Sequence, residues 1–315
     1  MGELFGPDSE IDLERRHSWL YDDSPHGSAI TWMAIDEDTG ATAGCASFFP
    51  RRMALPGRTV RGALGGDLFI RPRFRRRGLG TAMHRAARRD MRALGIEVMF
   101  GTPLLANRTP LREAGSRDVT HVARYVRPLG ARALGVRASA VDRLAAALLV
   151  PSTRAWLDPI LGPDARVDEV FRAARPDIGL ATSRDAATYA WRFVASPSGR
   201  QRAFVVVEGG APIATCALER VGRRLRIVEL VAPADAWGSA LAAIYHHDPG
   251  ADLVEVLLTR EQAALHRLWR HGFIQRGTTV PLNIVLPEGD PQAEVFWSPH
   301  RWYVTWLESD MDTTR

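Results

Sequence analysis

Two distant stretches of this chain are written to one pattern, and that duplication constrains the fold more than any feature of composition. Trp19-Leu20-Tyr21-Asp22-Asp23-Ser24-Pro25-His26-Gly27 and Trp191-Arg192-Phe193-Val194-Ala195-Ser196-Pro197-Ser198-Gly199 both fit W-x-[YF]-x-x-S-P-x-G, 172 residues apart. After the first come Ile30 to Ile35, the turn Asp38-Thr39-Gly40, and Ala41 to Phe49. After the second come Phe204 to Val207, the turn Glu208-Gly209-Gly210, and Ala211 to Leu218. Alternating apolar runs around a glycine-bearing turn predict a β-hairpin in each place. Within them Ala43-Gly44-Cys45-Ala46 matches Ala214-Thr215-Cys216-Ala217 at a spacing of 171, so the two cysteines occupy equivalent positions. Two matches in one register indicate a repeated structural unit.

The correspondence extends further along the chain. Ile70-Arg71-Pro72 answers to Val231-Ala232-Pro233 at the end of a third strand, and Ile96 to Phe100 answers to Leu253 to Leu258 as a fourth. Ala114-Gly115 and His271-Gly272 each close a short helix. A proline-, glycine- and arginine-rich stretch, Arg127 to Arg137, leads to an apolar helical segment, Ser139 to Val150. The expected organisation is therefore a first α/β domain over 1–130, a connector with a helix over 131–163, and a second copy over 164–315, in keeping with the length of 315 residues.

One feature separates the copies. In the first, the apolar run Leu68-Phe69-Ile70 is followed by Arg75-Arg76-Arg77-Gly78-Leu79-Gly80 and then by a segment that reads as a helix, Thr81 to Leu94. A glycine-bearing turn at a helix start leaves unpaired N–H groups at the positive end of the helix dipole, which suits a diphosphate. In the second copy Val231-Ala232-Pro233 runs into Ala234-Asp235-Ala236-Trp237-Gly238, with no arginine cluster and no paired glycines. Every basic side chain other than histidine is arginine, and the net charge is +5. Outside Arg71 to Arg77 the arginines are scattered, which disfavours nucleic acid and favours a phosphorylated cofactor.

Strand order, hairpin, loop and helix together resemble the GNAT acetyltransferase superfamily, whose cofactor signature R/Q-x-x-G-x-G/A reads here Arg75-x-x-Gly78-x-Gly80. The resemblance implies two tandem domains, each a mixed, mostly antiparallel twisted sheet flanked by helices, with the second degenerate. It implies acetyl-CoA as cofactor: Arg75, Arg76, Arg77, Gly78, Leu79, Gly80 and Thr81 around the diphosphate, Phe69 and Ile70 along the acetyl and pantetheine arm, and Asn107 on that arm. It also implies that the strand Ala63 to Ile70 splays and offers amides to the thioester carbonyl. The chain departs from the family after Asn107, where the segment to Ser116 holds no tyrosine. Tyr125 is the nearest substitute for the tyrosine that reprotonates the leaving thiolate.

Direct attack of an amine on a thioester needs a neutral amine, a polarised carbonyl and a stabilised thiolate. Asp67, within the splayed strand, and Glu97, at the start of the next, are the candidate bases; alternation sets Asp67 opposite Leu68 and Ile70. His84, one turn beyond the loop, reads as a phosphate neighbour or a surface residue. Cys45 and Cys216 read as core thiols, and no metal site is expected, His246-His247-Asp248 included. The aromatics Trp269, Trp297, Trp302, Tyr303 and Trp306 read as packing, and the acidic tail from Glu308 to Asp312 as solvated. No run of about 18 apolar residues is present, and the start lacks a signal peptide, so a cytoplasmic protein acting on a small-molecule amine is expected, with no membrane partner and with a homodimer compatible. A longer acyl-CoA, an acyl carrier protein or an aminoacyl-tRNA remains open as the donor, and so does a non-catalytic ligand-binding module.

Overall fold

The computed structural model describes residues 12–130, 133, 150–289 and 294–308. The chain begins with α1 (Leu13–His17), capped by the Asp12 carboxylate on the N–H groups of Glu14 and Arg15, and runs into a π-helical turn, Ser18–Asp22. Then come β1 (Ile30–Ile35), β2 (Thr42–Leu55), β3 (Arg58–Ile70), α2 (Leu79–Asp90), β4 (Val98–Gly101), α3 (Leu105–Glu113) and β5 (Arg117–Pro128). The second copy supplies β6 (Trp156–Pro159), α4 (Ala165–Ala174), β7 (Ala181–Thr182) and α5 (Ala186–Tyr189), which runs into another π-helical turn, Ala190–Val194. It continues with β8 (Gln201–Glu208), β9 (Ala211–Val221), β10 (Arg224–Val231), α6 (Trp237–His247), β11 (Leu253–Thr259), α7 (Arg260–Leu265) and β12 (Ile274–Gln275). The last elements are β13 (Val280–Val285) and α8 (Glu294–Trp297). Residues 139–149 of the expected connector helix and the acidic tail beyond Glu308 lie outside the described residues, whereas Glu308 itself, expected to be solvated, is buried against Arg184 at 2.7 Å.

The repeat is a repeat of local structure. Both tryptophan motifs fold as π-helical turns 172 residues apart, and both close with the same hydrogen bond, Gly27 N–H to Ser24 O and Gly199 N–H to Ser196 O. The two hairpins are antiparallel pairs, β1 with β2 and β8 with β9. The third strand then pairs parallel with the fourth in each copy. The third strand also carries a bulge at the same place, between the partners of Cys45 and Ser47 in β3 and between Ile227 and Glu229 in β10.

The compact units are interleaved along the chain rather than consecutive. Unit 1 holds the chain up to His121 with Val280–Arg301; unit 2 holds Val122–Thr279 with Trp302–Ser309. The cause is an exchange of strands. From Val122 on, β5 pairs with β11 and extends unit 2, whereas β4 pairs with β13, Phe100 opposite Ile284. Arg127 and Pro128, which open the proline-, glycine- and arginine-rich stretch, therefore lie in a strand.

Within unit 1 the β-sheet alternates. Ala46, Phe48, Leu68 and Ile70 face α2, whose Met83 and Ala87, with the C-capping Met91, recur every fourth residue and so form one helical stripe. Burying each large side chain of that stripe contributes about 1.5–3 kcal/mol. The helix is shorter than expected, ending at Asp90 rather than Leu94. On the other face of the sheet lie Ser47 and Phe49, against Tyr21 of the π-helical turn.

Unit 2 buries the cores of its own sheet and α6, with Cys216 wholly enclosed among Phe204, Leu230 and Ile244. Beneath it Arg184, with no exposed side-chain surface, pairs with Glu229 at 3.2 Å and Glu308 at 2.7 Å. Burial pushes the Glu229 carboxyl up to about 7, with Arg184 opposing that rise. Removing the one cation would leave two carboxylates enclosed, so Arg184→Leu is expected to destabilise unit 2 by about 3–5 kcal/mol in denaturant unfolding. A loss within the noise of a surface substitution would show that the cluster is not under this constraint.

Candidate active site

The loop between β3 and α2 is built as an anion cradle. Pro72–Phe74 forms a short 3-10 turn, after which Arg76 (φ 64°) and Gly78 (φ 75°) both take left-handed backbone conformations. Gly78 is the N-cap of α2 and has no side chain to cap it, so the N–H groups of Leu79, Gly80 and Thr81 have no helical partner. Alternating right- and left-handed residues turn successive N–H groups toward one point, and the dipole of the 12-residue helix adds partial positive charge there. Buried Phe74 supports the guanidinium groups of Arg73 and Arg77 at 4.6 and 5.5 Å from its ring centre, and Arg75 Nε donates to Ile70 O at 3.0 Å. The Thr81 hydroxyl points elsewhere, donating to Glu113 Oε2 at 2.9 Å.

The strand leading to this loop parts from its neighbour. Parallel pairing of β3 with β4 covers Gly62, Ala63 and Leu64 opposite Val98, Met99 and Phe100, and then stops, while β3 continues to Ile70. Gly65 to Ile70 thus present their β4-facing edge without a ladder partner on that side. In the second copy the same parallel pairing reaches Ile227 opposite Val256, the equivalent of Gly66, so the first copy opens two residues earlier. Ile70 reaches toward the first turn of α2: a Cβ added to Gly80 would lie 3.6 Å from both Ile70 Cδ1 and Pro110 Cβ. From β4 the chain passes into α3, whose first turn carries half-buried Asn107 beside Leu104 and Leu105, exposed by 69% and 78%. Those two leucines, unremarked in the sequence, set apolar surface next to Asn107.

The catalytic candidates separate. Asp67 lies on the bulged, splayed part of β3 with φ 44°, and its side chain is 8% exposed. It accepts from Arg16 at 3.1 and 3.4 Å and from the Tyr21 hydroxyl at 2.8 Å. Glu97 precedes β4 at the end away from the splay and pairs with Arg58 at 2.6 Å. It therefore forms an ion pair at that strand end. Tyr125 lies in unit 2, opposite Val256 and Gln275, and is not among the groups unit 1 brings together. His84 is buried rather than at the surface, edge-on to Phe48, and burial alone pushes its pKa down to about 4. Cys45 is half-buried with its thiol 3.9 Å from Asp67 O, and burial pushes its pKa up. Arg16 and Tyr21 were missed by sequence reasoning; the signal was Tyr21 standing where the second copy has Phe193.

In the second copy the loop has closed on itself. Ala236 caps α6 in the right-handed region, and the Asp177 carboxylate accepts from Ala234 N–H at 2.8 Å, so an anion of the protein's own sits in the loop.

Residues 1–108 match the Acetyltransferase (GNAT) family. The first copy thus carries a GNAT-family domain. Its overall fold is similar to a GCN5-related N-acetyltransferase from Anabaena variabilis ATCC 29413, with TM-score 0.65 and 16% identity, over 88% of this chain and 66% of that one. This chain thus spans about two thirds of the length of that protein. It is also similar to a tandem GNAT protein from the clavulanic acid biosynthesis pathway, with TM-score 0.52 and 17% identity, over 90% and 91% of the two chains. A third likeness is to N-myristoyltransferase from Saccharomyces cerevisiae with bound myristoyl-CoA, TM-score 0.54 and 12% identity, over 85% and 72%. No curated protein sequence matches the chain at a significant level. Among the described residues no helix is long and apolar enough to cross a membrane, and no group of histidine, cysteine and carboxylate side chains is placed to hold a metal.

The buried histidine of the GNAT helix α2 makes a pH-dependent contribution to stability. His84 stays neutral in the folded chain down to about 4 but takes up a proton at about 6.5 when unfolded. Its contribution is therefore lost as pH falls from about 6.5 to 4. Replacing it by His84→Leu is expected to flatten the fall in unfolding free energy across that window, read by denaturant melts at several pH values. An unchanged slope would place the proton uptake elsewhere.

Proposed function

We propose that this chain is an acyltransferase that moves an acetyl group from acetyl-CoA to the amine of a small molecule, such as an amino sugar or a natural-product intermediate, by direct attack. The observation that carries the reading is the left-handed Gly78 at the start of α2, set among arginines at the end of a strand that has parted from its neighbour. In this reading the N–H groups of Gly78 to Thr81 and the side chains of Arg75, Arg76 and Arg77 take the diphosphate. Phe69, Ile70 and Asn107, with Leu104 and Leu105, line the pantetheine arm. The unpaired amides of β3 polarise the thioester carbonyl, which lowers the barrier because they are fixed before charge develops. The first copy is then the catalytic domain, and the second, whose loop is closed by Asp177, contributes structure.

A longer acyl-CoA is the second reading. It is favoured by the likeness to a protein with bound myristoyl-CoA and by the exposed Leu104 and Leu105 beside the arm. A donor carried on tRNA would make binding steeply salt-dependent, as free coenzyme A would not.

Calorimetric titration of acetyl-CoA, myristoyl-CoA and free coenzyme A separates these readings. Acetyl-CoA and free coenzyme A are expected to bind wild type, and Gly78→Trp to abolish binding, since a side chain at φ 75° both strains the turn and fills the cradle. Glu97→Gln is expected to leave binding and transfer unchanged. Binding that survives Gly78→Trp would remove the loop from the site, and tight binding of myristoyl-CoA alone would select the second reading.

A further inference from the structure

The splayed part of β3 carries a second device that the loop does not explain. Thr31 Oγ1, Ser47 Oγ, Tyr21 Oη and the Asp67 carboxylate form a line, with successive separations of 3.0, 3.1 and 2.8 Å. Asp67 is held from its other side by Arg16, whose side chain is 2% exposed. A carboxylate paired with a guanidinium only accepts, so the single phenolic proton of Tyr21 goes to Asp67. Ser47 must then donate to Tyr21, and Thr31 to Ser47. Such a chain polarises in one direction and loads electron density on the tyrosine oxygen, leaving a lone pair for one further donor. Burial, and after it the charge of Asp67, pushes the Tyr21 pKa well above the ordinary tyrosine value, so the phenol keeps its proton.

The comparison of the two copies says what this line is for. Through the spacings of 172 for the helical turn, 171 for the second strand and 161 for the third, Arg16, Tyr21, Ser47 and Asp67 align with Thr188, Phe193, Leu218 and Val228. All four polar groups stand in the copy that has the phosphate loop, and all four are gone from the copy whose loop is closed. Unit 2 keeps a buried arginine–carboxylate pair of its own, Arg184 with Glu229, with the Tyr303 ring 5.1 Å from Arg184 and the Tyr189 hydroxyl on Thr215, but that cluster is wholly enclosed and lies at other positions of the repeat. Asp67 also sits in the strained left-handed region, on the stretch of β3 where the strand has left β4. Strain retained at such a point is a mark of function.

We infer that Tyr21 is a catalytic residue of the acyl transfer, taking the proton of the attacking amine, with Asp67, Arg16 and Ser47 as its positioning residues. This rests on the acyltransferase reading above. In the step, the amine nitrogen forms a bond to the thioester carbon and the carbon–sulfur bond breaks, its electron pair leaving on sulfur. The N–H proton passes to Tyr21 Oη as the phenolic proton passes to Asp67 Oδ2. The proton then returns along the same path to the departing thiolate, so amine and thioester give amide and thiol. The other titratable groups that face this line are His17, stacked on the Tyr21 ring at 4.4 Å and paired with Asp22 at 3.6 Å, and Cys45 beside the Asp67 carbonyl.

The test compares wild type with Tyr21→Phe and Ser47→Ala, using acetyl-CoA calorimetry and thiol release from acetyl-CoA with glucosamine and spermidine as probe amines. Tyr21→Phe keeps the ring against Phe49 and His17, so folding and acetyl-CoA affinity are expected to be unchanged. Its kcat should fall by about 10²–10⁴-fold with the KM for the amine unchanged. Ser47→Ala should lower kcat less, since it removes only the polarising donor. Unchanged kcat in Tyr21→Phe, with active wild type, overturns the inference alone. Wild type that binds no acetyl-CoA overturns the acyltransferase reading and this inference with it, and wild type that binds it yet acetylates neither amine overturns the step.

Discussion

Everything proposed for this chain depends on β3 and β4 pairing for three residues and then parting. A buried strand edge without partners is costly, because each N–H and C=O must find another group. Here the edge opens from Gly65 onward, and Asp67 and Arg76 hold left-handed conformations on either side of the strand's end. The conformational cost is borne by the surrounding sheet: β2 pairs with β3 along nearly its whole length, and α2 packs its Met83, Ala87 and Met91 stripe beneath. The rigid pairing on one side lets the other side stay unsatisfied and receptive.

The two copies show how little must change to abolish such a site. Their π-helical turns, hairpins and bulges match almost residue for residue. The difference lies in two further residues of parallel pairing in β10 and β11, an internal carboxylate at the helix start, and four polar side chains exchanged for smaller or apolar ones. The scaffold is preserved because its core requires it. The receptive edge is not preserved, because nothing in the packing does.

What was legible in the sequence follows from the range of the physics involved. The repeat, the hairpins and the glycine loop are written in neighbouring residues, through alternation and turn chemistry, and were read with small errors at the ends, such as α2 stopping at Asp90. The partners of Asp67 were not legible, since Arg16 lies 51 residues away and only the fold brings it near. The Arg58 partner of Glu97 was hidden for the same reason, lying 39 residues away. The exchange of β5 and β13 left no local trace at all, because a strand's pattern records which face is buried and not which strand lies beside it. Tyr125 was consequently assigned to the wrong unit.

That exchange has a consequence for how the molecule comes to exist. β4 is flanked on its open side by β13, residues 280 to 285, so the sheet that holds the Gly78 loop lacks a strand until the second copy has been synthesised as far as Val285. Until then Met99 and Phe100 present an uncovered, apolar sheet edge of the kind that recruits other chains. The N-terminal copy, though made first, is the last to be finished.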